Sequence, residues 1–255
     1  MLIKLSTLIN KYKLEINGIS HFGAHLGQEV EDYKKAEVKH INLFEPQKTI
    51  FEELIKKFKK DKNVSLYNFG LGSEKNTVNL NLAPGNDGLS ASILKPEDHK
   101  SYYPNIKFEG IEEIEIRTYD ELELKDVNFL NIDIQGYEIE ALKGCVGVLE
   151  NEIDYIFIEV SRKPLYKDSA LVGQIDSFLN SYNFIRVQTK WASSKVPWAD
   201  SFYIKKTELT PGRILISKVK IFFQKFHIYY IFIDPYRKYE KNKYKNKQKL
   251  KKLFK

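Results

Sequence analysis

Three acidic residues in this 255-residue chain stand where acid chemistry is useful, because each falls at or near the end of an apolar run. Glu45 follows INLF, Asp133 follows FLNI, and Glu159 lies near the end of YIFIEV. A carboxylate in such a place can accept two sugar hydroxyls at once or remove the proton of a hydroxyl. Ahead of Glu45 lies a turn with Gly23 and Gly27, where missing side chains let the backbone bend sharply and approach a ligand. The helix after it starts with N–H groups that have no intrahelical acceptor. Glu45 comes 22 positions after Gly23, close to the spacing at which an acid meets both ribose hydroxyls of an adenosine.

The same layout serves nicotinamide dinucleotides, and the glycines discriminate. A G-x-G-x-x-G fingerprint begun at Gly23 needs glycine at positions 25 and 28, which are His25 and Gln28. An imidazole where pyrophosphate must touch backbone argues against NAD. It favours an adenosine ligand without phosphates there, such as S-adenosylmethionine. An NAD-dependent oxidoreductase and a noncatalytic holder of S-adenosylmethionine or a nucleotide-sugar stay as alternatives, as does an ordinary strand–turn–helix.

The elements that must position these residues are legible as alternating periods. Residues 1–17 read as an amphipathic lead-in helix, with Leu5, Leu8, Ile9 and Tyr12 on one side. Residues 18–22 and 40–44 are strands. Residues 46–60 carry Ile50, Phe51, Leu54, Ile55 and Phe58 on one helical face. Residues 64–69 are a third strand, 76–82 an exposed one, and 83–105 a Gly-, Pro-, Asn- and Ser-rich loop of the kind that forms lids. Strand 111–117 follows, then 127–134 (VNFLNIDI), apolar enough for the centre of a parallel sheet. A helix over 137–149, strand 155–160, helix 171–182 and a closing antiparallel pair, 184–188 with 201–205, complete the pattern. Strands alternating with helices specify an α/β fold with a doubly wound, mostly parallel sheet, whose ligands sit beyond the carboxyl ends of the strands.

Composition limits the function classes. The single cysteine, Cys145, excludes a disulfide framework and a Cys-rich zinc site, and suits a reducing cytosol. No leader peptide is read at the start, and the longest apolar run, residues 228–233, is far short of a membrane span. A cytoplasmic protein is expected. The net charge of +7 is unevenly placed: residues 212–255 hold 14 Lys and Arg against Asp234 and Glu240, so that segment carries +12 and the body −5. Such a body does not suit nucleic acid, and none is expected as a partner.

Residues 18–206 resemble the FkbM family of S-adenosylmethionine-dependent methyltransferases, a branch of the Rossmann-like class I methyltransferase fold. HFGAHLGQE, NLFEPQ and FLNIDIQGYEIEALKG followed by IFIEVSRKPLY carry the resemblance, together with the serine-containing GLSASIL. Asp133, Gln135, Gly136, Glu138, Leu142, Lys143 and Gly144 match the family's D-[VI]-[EQ]-G-x-E-x-x-x-L-K-G pattern. His21 departs from it, since the family usually has an acid two positions before the first glycine. The resemblance implies a methyltransferase domain over 18–207 and O-methylation of a hydroxyl, often on a sugar or glycan acceptor. It makes Phe22, Gly23, Ala24, His25, Gly27, Glu45, Pro46, Gly70 and Asp133 the expected cofactor contacts.

For the proton, Asp133 is the first candidate base, with Glu159 and Glu138 as further catalytic candidates and His25 and His99 behind them. The structural alternative for Asp133 is a cap on the following helix. Ser90, Ser92, His99 and Trp198 are expected on the acceptor, with Trp191 a second aromatic platform. Some sugar O-methyltransferases use a divalent metal, to which Asp133 and Glu159 could contribute. No ligand motif is visible and no metal is expected. An oligomer is left open.

Residues 208–255 read as a basic helical extension. Ile214, Leu215, Ile216, Val219, Phe222, Phe223 and Phe226 alternate with Lys218, Lys220 and Lys225, followed by HIYYIFID and a Lys-rich end. That composition suits an anionic membrane surface, which would place the protein peripherally on the inner face. A solvated tail or a helix on a partner subunit is the alternative.

Overall fold

The computed structural model describes residues 2–225. The chain divides into two units, Met1–Glu208 and Leu209–Lys255. The first opens with α1 (Leu5–Tyr12), which buries Leu5 and Leu8 and stops at Lys13 in a left-handed conformation. There follow β1 (Gly18–Phe22), α2 (Val30–Lys35), β2 (His40–Phe44), α3 (Lys48–Phe58) and β3 (Val64–Tyr67). Helix α3 buries Leu54 and Phe58, one stripe of the predicted apolar face. Next come β4 (Gly70–Leu71), β5 (Asn76–Asn81), α4 (His99–Tyr102), β6 (Ile111–Arg117), β7 (Phe129–Ile132), α5 (Glu138–Lys143) and α6 (Val146–Asn151). The unit ends with β8 (Tyr155–Ser161), α7 (Val172–Ser181), β9 (Phe184–Trp191) and β10 (Trp198–Lys205).

Seven strands form the central sheet in the order β3-β2-β1-β7-β8-β10-β9. The first five are parallel, and β10 pairs antiparallel with both β8 and β9, the latter being the closing antiparallel pair the sequence predicts. Every residue of β1 and β7 is buried, the polar Ser20, His21 and Asn131 included, as befits the centre of a parallel sheet covered on both faces.

Three elements depart from expectation. The third strand stops at Tyr67 because Asn68 leaves the ladder, its side-chain amide donating to the carbonyls of Glu45 (2.9 Å) and Pro46 (3.1 Å). Strands β4, β6 and β5 then make a separate three-stranded sheet around Leu80, Ile114 and Ile116. The helix expected over 137–149 is two short helices broken at Gly144. Its carbonyl accepts from the N–H groups of Tyr119 and Asp120 instead of continuing the helix, and a Cβ there would lie 2.0 Å from the Gly72 carbonyl oxygen. The loop over 83–105 contains a short helical turn at Pro84–Asn86 and α4. In the second unit, α8 spans Pro211–Lys225, and Phe226, HIYYIFID and the Lys-rich end of the expected extension lie outside the described residues.

Candidate functional site

Strand register aligns the acids. Phe22 of β1 pairs with Phe44 of β2 and Ile132 of β7, and Ile132 pairs with Ile158 of β8. The next residue of each strand is Gly23, Glu45, Asp133 and Glu159, and Asp200 of β10 pairs with Glu159. A row of Glu45, Gly23, Asp133, Glu159 and Asp200 therefore crosses the carboxyl edge of the sheet, where such folds place ligands. Gly23 (φ +77°) sits in mid-row because a Cβ there would come within 2.0 Å of the Asp133 carbonyl oxygen.

Two clefts open on this row. The first is lined by Phe22, Gly23, His25, Glu45, Pro46, Gly70 and Asp133 of the expected cofactor contacts. Phe44, Phe69, Leu71 and Leu80 add apolar walls, and Leu89, Ala91 and Ile93 come from the long loop. Glu45 lies at its base, buried, with Oε2 accepting from the His25 N–H (2.9 Å) and Oε1 from the Gln47 N–H (2.9 Å). Burial pushes its carboxyl upward, against those two donors. Oε1 also accepts from the Gln47 side-chain amide at 3.4 Å, so of the two oxygens Oε2 keeps a lone pair for a further hydrogen bond.

The second cleft is lined by Leu2, His21, Glu29, Asn131, Asp133, Glu159, Trp198 and Asp200, among others. Asp133 is the one described residue that lines both. Its walls push its carboxyl up to about 6, and its side chain stays open to the clefts, which tempers that rise. Gln135 donates to Asp133 Oδ1 at 2.7 Å and is itself met by the Tyr166 hydroxyl, 2.9 Å from Gln135 Oε1. Burial, followed by the charge of Asp133, raises the carboxyl of Glu159. Asp200 accepts from the N–H groups of Leu2 and Ile3, so residues 2 and 3 form part of the wall. Trp198 donates its indole N–H to the Tyr103 hydroxyl at 2.6 Å, with its ring at the cleft.

The remaining sequence candidates are placed elsewhere. Asp133 does not cap the following helix. Glu138, the first residue of α5, folds back on the turn ahead of the helix, its Oε1 accepting from Gly136 N–H (2.9 Å) and Ile134 N–H (3.3 Å), and it lines neither cleft. The catalytic expectation for Glu138 is corrected accordingly. His25 lends its backbone to Glu45, while its ring bridges the Asp87 carbonyl (2.7 Å) and the Gln28 amide (2.9 Å), so it pins the loop instead of serving as a base. Ala24 is buried behind the turn, and Gly27 packs on Phe58, so neither lines a cleft.

Ser90 and Ser92 face away from both clefts because the loop alternates, with Leu89, Ala91 and Ile93 turned inward. Ser90 Oγ accepts from Asn86, and Ser92 Oγ donates to the Gln135 carbonyl at 2.7 Å. His99 is buried among Tyr103, Phe108 and Tyr166, with ring centroids 5.1–5.3 Å away, and burial lowers its pKa. It reaches neither cleft. Trp191 lies under the Arg162 guanidinium at 4.9 Å, outside both linings. Among the described residues no group of three His, Cys, Asp or Glu side chains is arranged to hold a metal ion. Likewise, no helix there is long and apolar enough to cross a membrane.

Sequence reasoning assigned no role to Gln135, Asp200 or Glu29. Gln135 was visible in the motif, whereas Asp200 becomes a site residue only through the antiparallel register of β10 with β8.

The family described as the methyltransferase FkbM domain matches residues 21–186, from the end of β1 into β9. The chain belongs to the FkbM methyltransferase family. The 2-O-methyltransferase NoeI of Sinorhizobium fredii (strain NBRC 101917 / NGR234) is 29% identical over 101 residues, 38% of this chain and 41% of that protein. The crystal structure of a methyltransferase FkbM from Methylobacillus flagellatus KT matches with a TM-score of 0.50 and 14% identity, over 74% of this chain and 43% of that one. The FkbM chain thus spans less than half the length of either relative. The match to the solved structure concerns the fold alone.

Proposed function

We propose that this FkbM methyltransferase transfers a methyl group from S-adenosylmethionine to a hydroxyl of a sugar or glycan. The observation that carries the reading is that Asp133 alone, among the described residues, belongs to both clefts. The first cleft suits an adenosine: it is concave with largely apolar walls, and Glu45 Oε2 offers its remaining lone pair to the ribose. The second offers Glu159 and Asp200 as acceptors for hydroxyls, with the Trp198 ring beside them. The description of NoeI as a 2-O-methyltransferase supports oxygen as the atom methylated.

Bound in the first cleft, S-adenosylmethionine supplies a methyl group already activated by its sulfonium. The chain then has to align an acceptor oxygen, an effect worth roughly 7–11 kcal/mol at best. It also has to accept the hydroxyl proton, worth about 10²–10⁴-fold. Asp133 takes that proton, with Gln135 fixing the Oδ1 that does not. Glu159, its carboxyl raised by burial and by the charge of Asp133, faces the acceptor in the same cleft.

The test is transfer of labelled methyl from S-adenosylmethionine to surface polysaccharide and lipid-linked glycan fractions. Label is expected in a glycan hydroxyl. With Asp133→Asn, kcat is expected to fall about 10²–10⁴-fold, while the Kd for S-adenosylhomocysteine changes by less than about threefold, under 0.7 kcal/mol. A melting shift with NAD and none with S-adenosylhomocysteine would overturn the reading.

A further inference from the structure

Helix α8 turns its apolar side outward. Leu215, Ile216, Val219, Phe222 and Phe223 are 63, 55, 46, 57 and 42% exposed. At 3.6 residues per turn they span an arc of about 120° on one face. Ser217, Ile214 and Ile221, on the opposite side, are buried or half-buried. Exposed Lys218 borders one edge of the apolar arc, and exposed Arg213 and Lys220 border the other. A helix whose apolar stripe serves only the protein core shows the reverse arrangement.

We propose that α8 docks on an anionic lipid surface, lying in the membrane plane with Leu215, Ile216, Val219, Phe222 and Phe223 among the acyl chains. The flanking Lys and Arg suit that position, because their aliphatic stems follow apolar surface while their charges stay at headgroup level. Residues 212–255 carry a net +12, which complements an anionic leaflet and repels a second copy of the same segment. Charge therefore favours lipid over self-association as the occupant of this face. The proposal is independent of the methyl-transfer reading.

Flotation of the full chain with vesicles tests it, comparing phosphatidylcholine alone with phosphatidylcholine containing phosphatidylglycerol. The expected result is binding to the anionic vesicles only, weakened at high salt. Phe222→Ser with Phe223→Ser should lower that binding about tenfold or more by removing buried aromatic area. Lys218→Gln and Lys220→Gln should each lower it about fivefold at low salt. The cofactor-cleft Kd for S-adenosylhomocysteine should stay unchanged in all three variants, showing that they are folded. Wild-type binding in the Phe222/Phe223 variant would overturn the proposal. So would equal binding to neutral vesicles, or a solution dimer that these same substitutions dissociate.

Discussion

Gln135 donates its side-chain amide to Asp133 Oδ1 at 2.7 Å from a backbone position with φ +52°. Few residues adopt that left-handed conformation without strain. The turn is held there by Ser92 on the Gln135 carbonyl and by Tyr166 on its amide oxygen. A hydrogen bond to a carboxylate favours its charged form, so Gln135 holds Asp133 below the value that burial alone would set.

Gln135→Ala should therefore raise the pKa of Asp133 above about 6. Because the base must be ionised, the acidic limb of the kcat–pH profile should move to higher pH. At pH well above that limb kcat should recover most of its loss. A limb that stays in place while kcat drops at all pH values would give Gln135 a merely structural role.

Glu45 holds the first cleft's polar end, and the ribose contact assigned to it can be separated from folding. Hydrogen bonds to a charged group contribute about 1.5–3 kcal/mol each. Glu45→Ala should thus raise the Kd for S-adenosylhomocysteine at least about tenfold by calorimetry. It also strips acceptors from the N–H groups of His25 and Gln47, so the apo melting temperature should fall. Unchanged affinity would place the nucleoside elsewhere.

Glu138 distinguishes a brace on the turn from a catalyst. Burial raises its carboxyl from 4.5 to about 7, so the native state holds a proton that the unfolded chain releases between those values. Its contribution to stability is present below pH 4.5 and lost as pH rises through 7. Glu138→Gln keeps an acceptor for Gly136 and Ile134 without the charge. The variant should melt above wild type at pH 8, by an amount on the order of 3 kcal/mol at most, with the gap closing by pH 4.5. Its kcat should stay within about threefold of wild type, under 0.7 kcal/mol of barrier. A loss of 10²-fold or more would return Glu138 to the catalytic set.

The parallel strands and the rim positions of Glu45, Asp133 and Glu159 were legible because each depends on a local signal: an apolar run ending in a carboxylate fixes both the strand and its rim. The break at Gly144 was not, since helical period runs straight through EIEALKGCVGVLE and only the Gly72 carbonyl, far away in sequence, requires it. Ser90, Ser92 and His99 were misread for a related reason. Loop composition predicts exposure, but the bridge between Asn81 and Ser92 sets which loop residues alternate inward, and three aromatic rings enclose His99. Non-local pairing decided these positions.

His21, the departure from the family pattern, is fixed by a buried chain of donors. Asn131 Nδ2 donates to the Tyr33 hydroxyl at 2.6 Å, which leaves that hydroxyl's proton for His21 Nδ1 at 3.1 Å. The ring is thereby neutral with its proton on Nε2, and burial lowers its pKa from 6.5 to about 4. Here the unfolded chain binds the extra proton, so stability present above pH 6.5 is lost as pH falls toward 4. His21→Gln, which does not titrate, should lose less stability than wild type over that interval, the difference being on the order of 3 kcal/mol. Tyr33→Phe removes the donor to His21 and an acceptor of Asn131, at a cost of about 1–3 kcal/mol. That corresponds to a melting temperature about 2–12 °C lower for a domain of this size. Because His21 and Asn131 line the second cleft, Tyr33→Phe should also raise the acceptor KM more than the Kd for S-adenosylhomocysteine. Equal melting temperatures for Tyr33→Phe and wild type would show that the Asn131–Tyr33–His21 chain does not hold the imidazole.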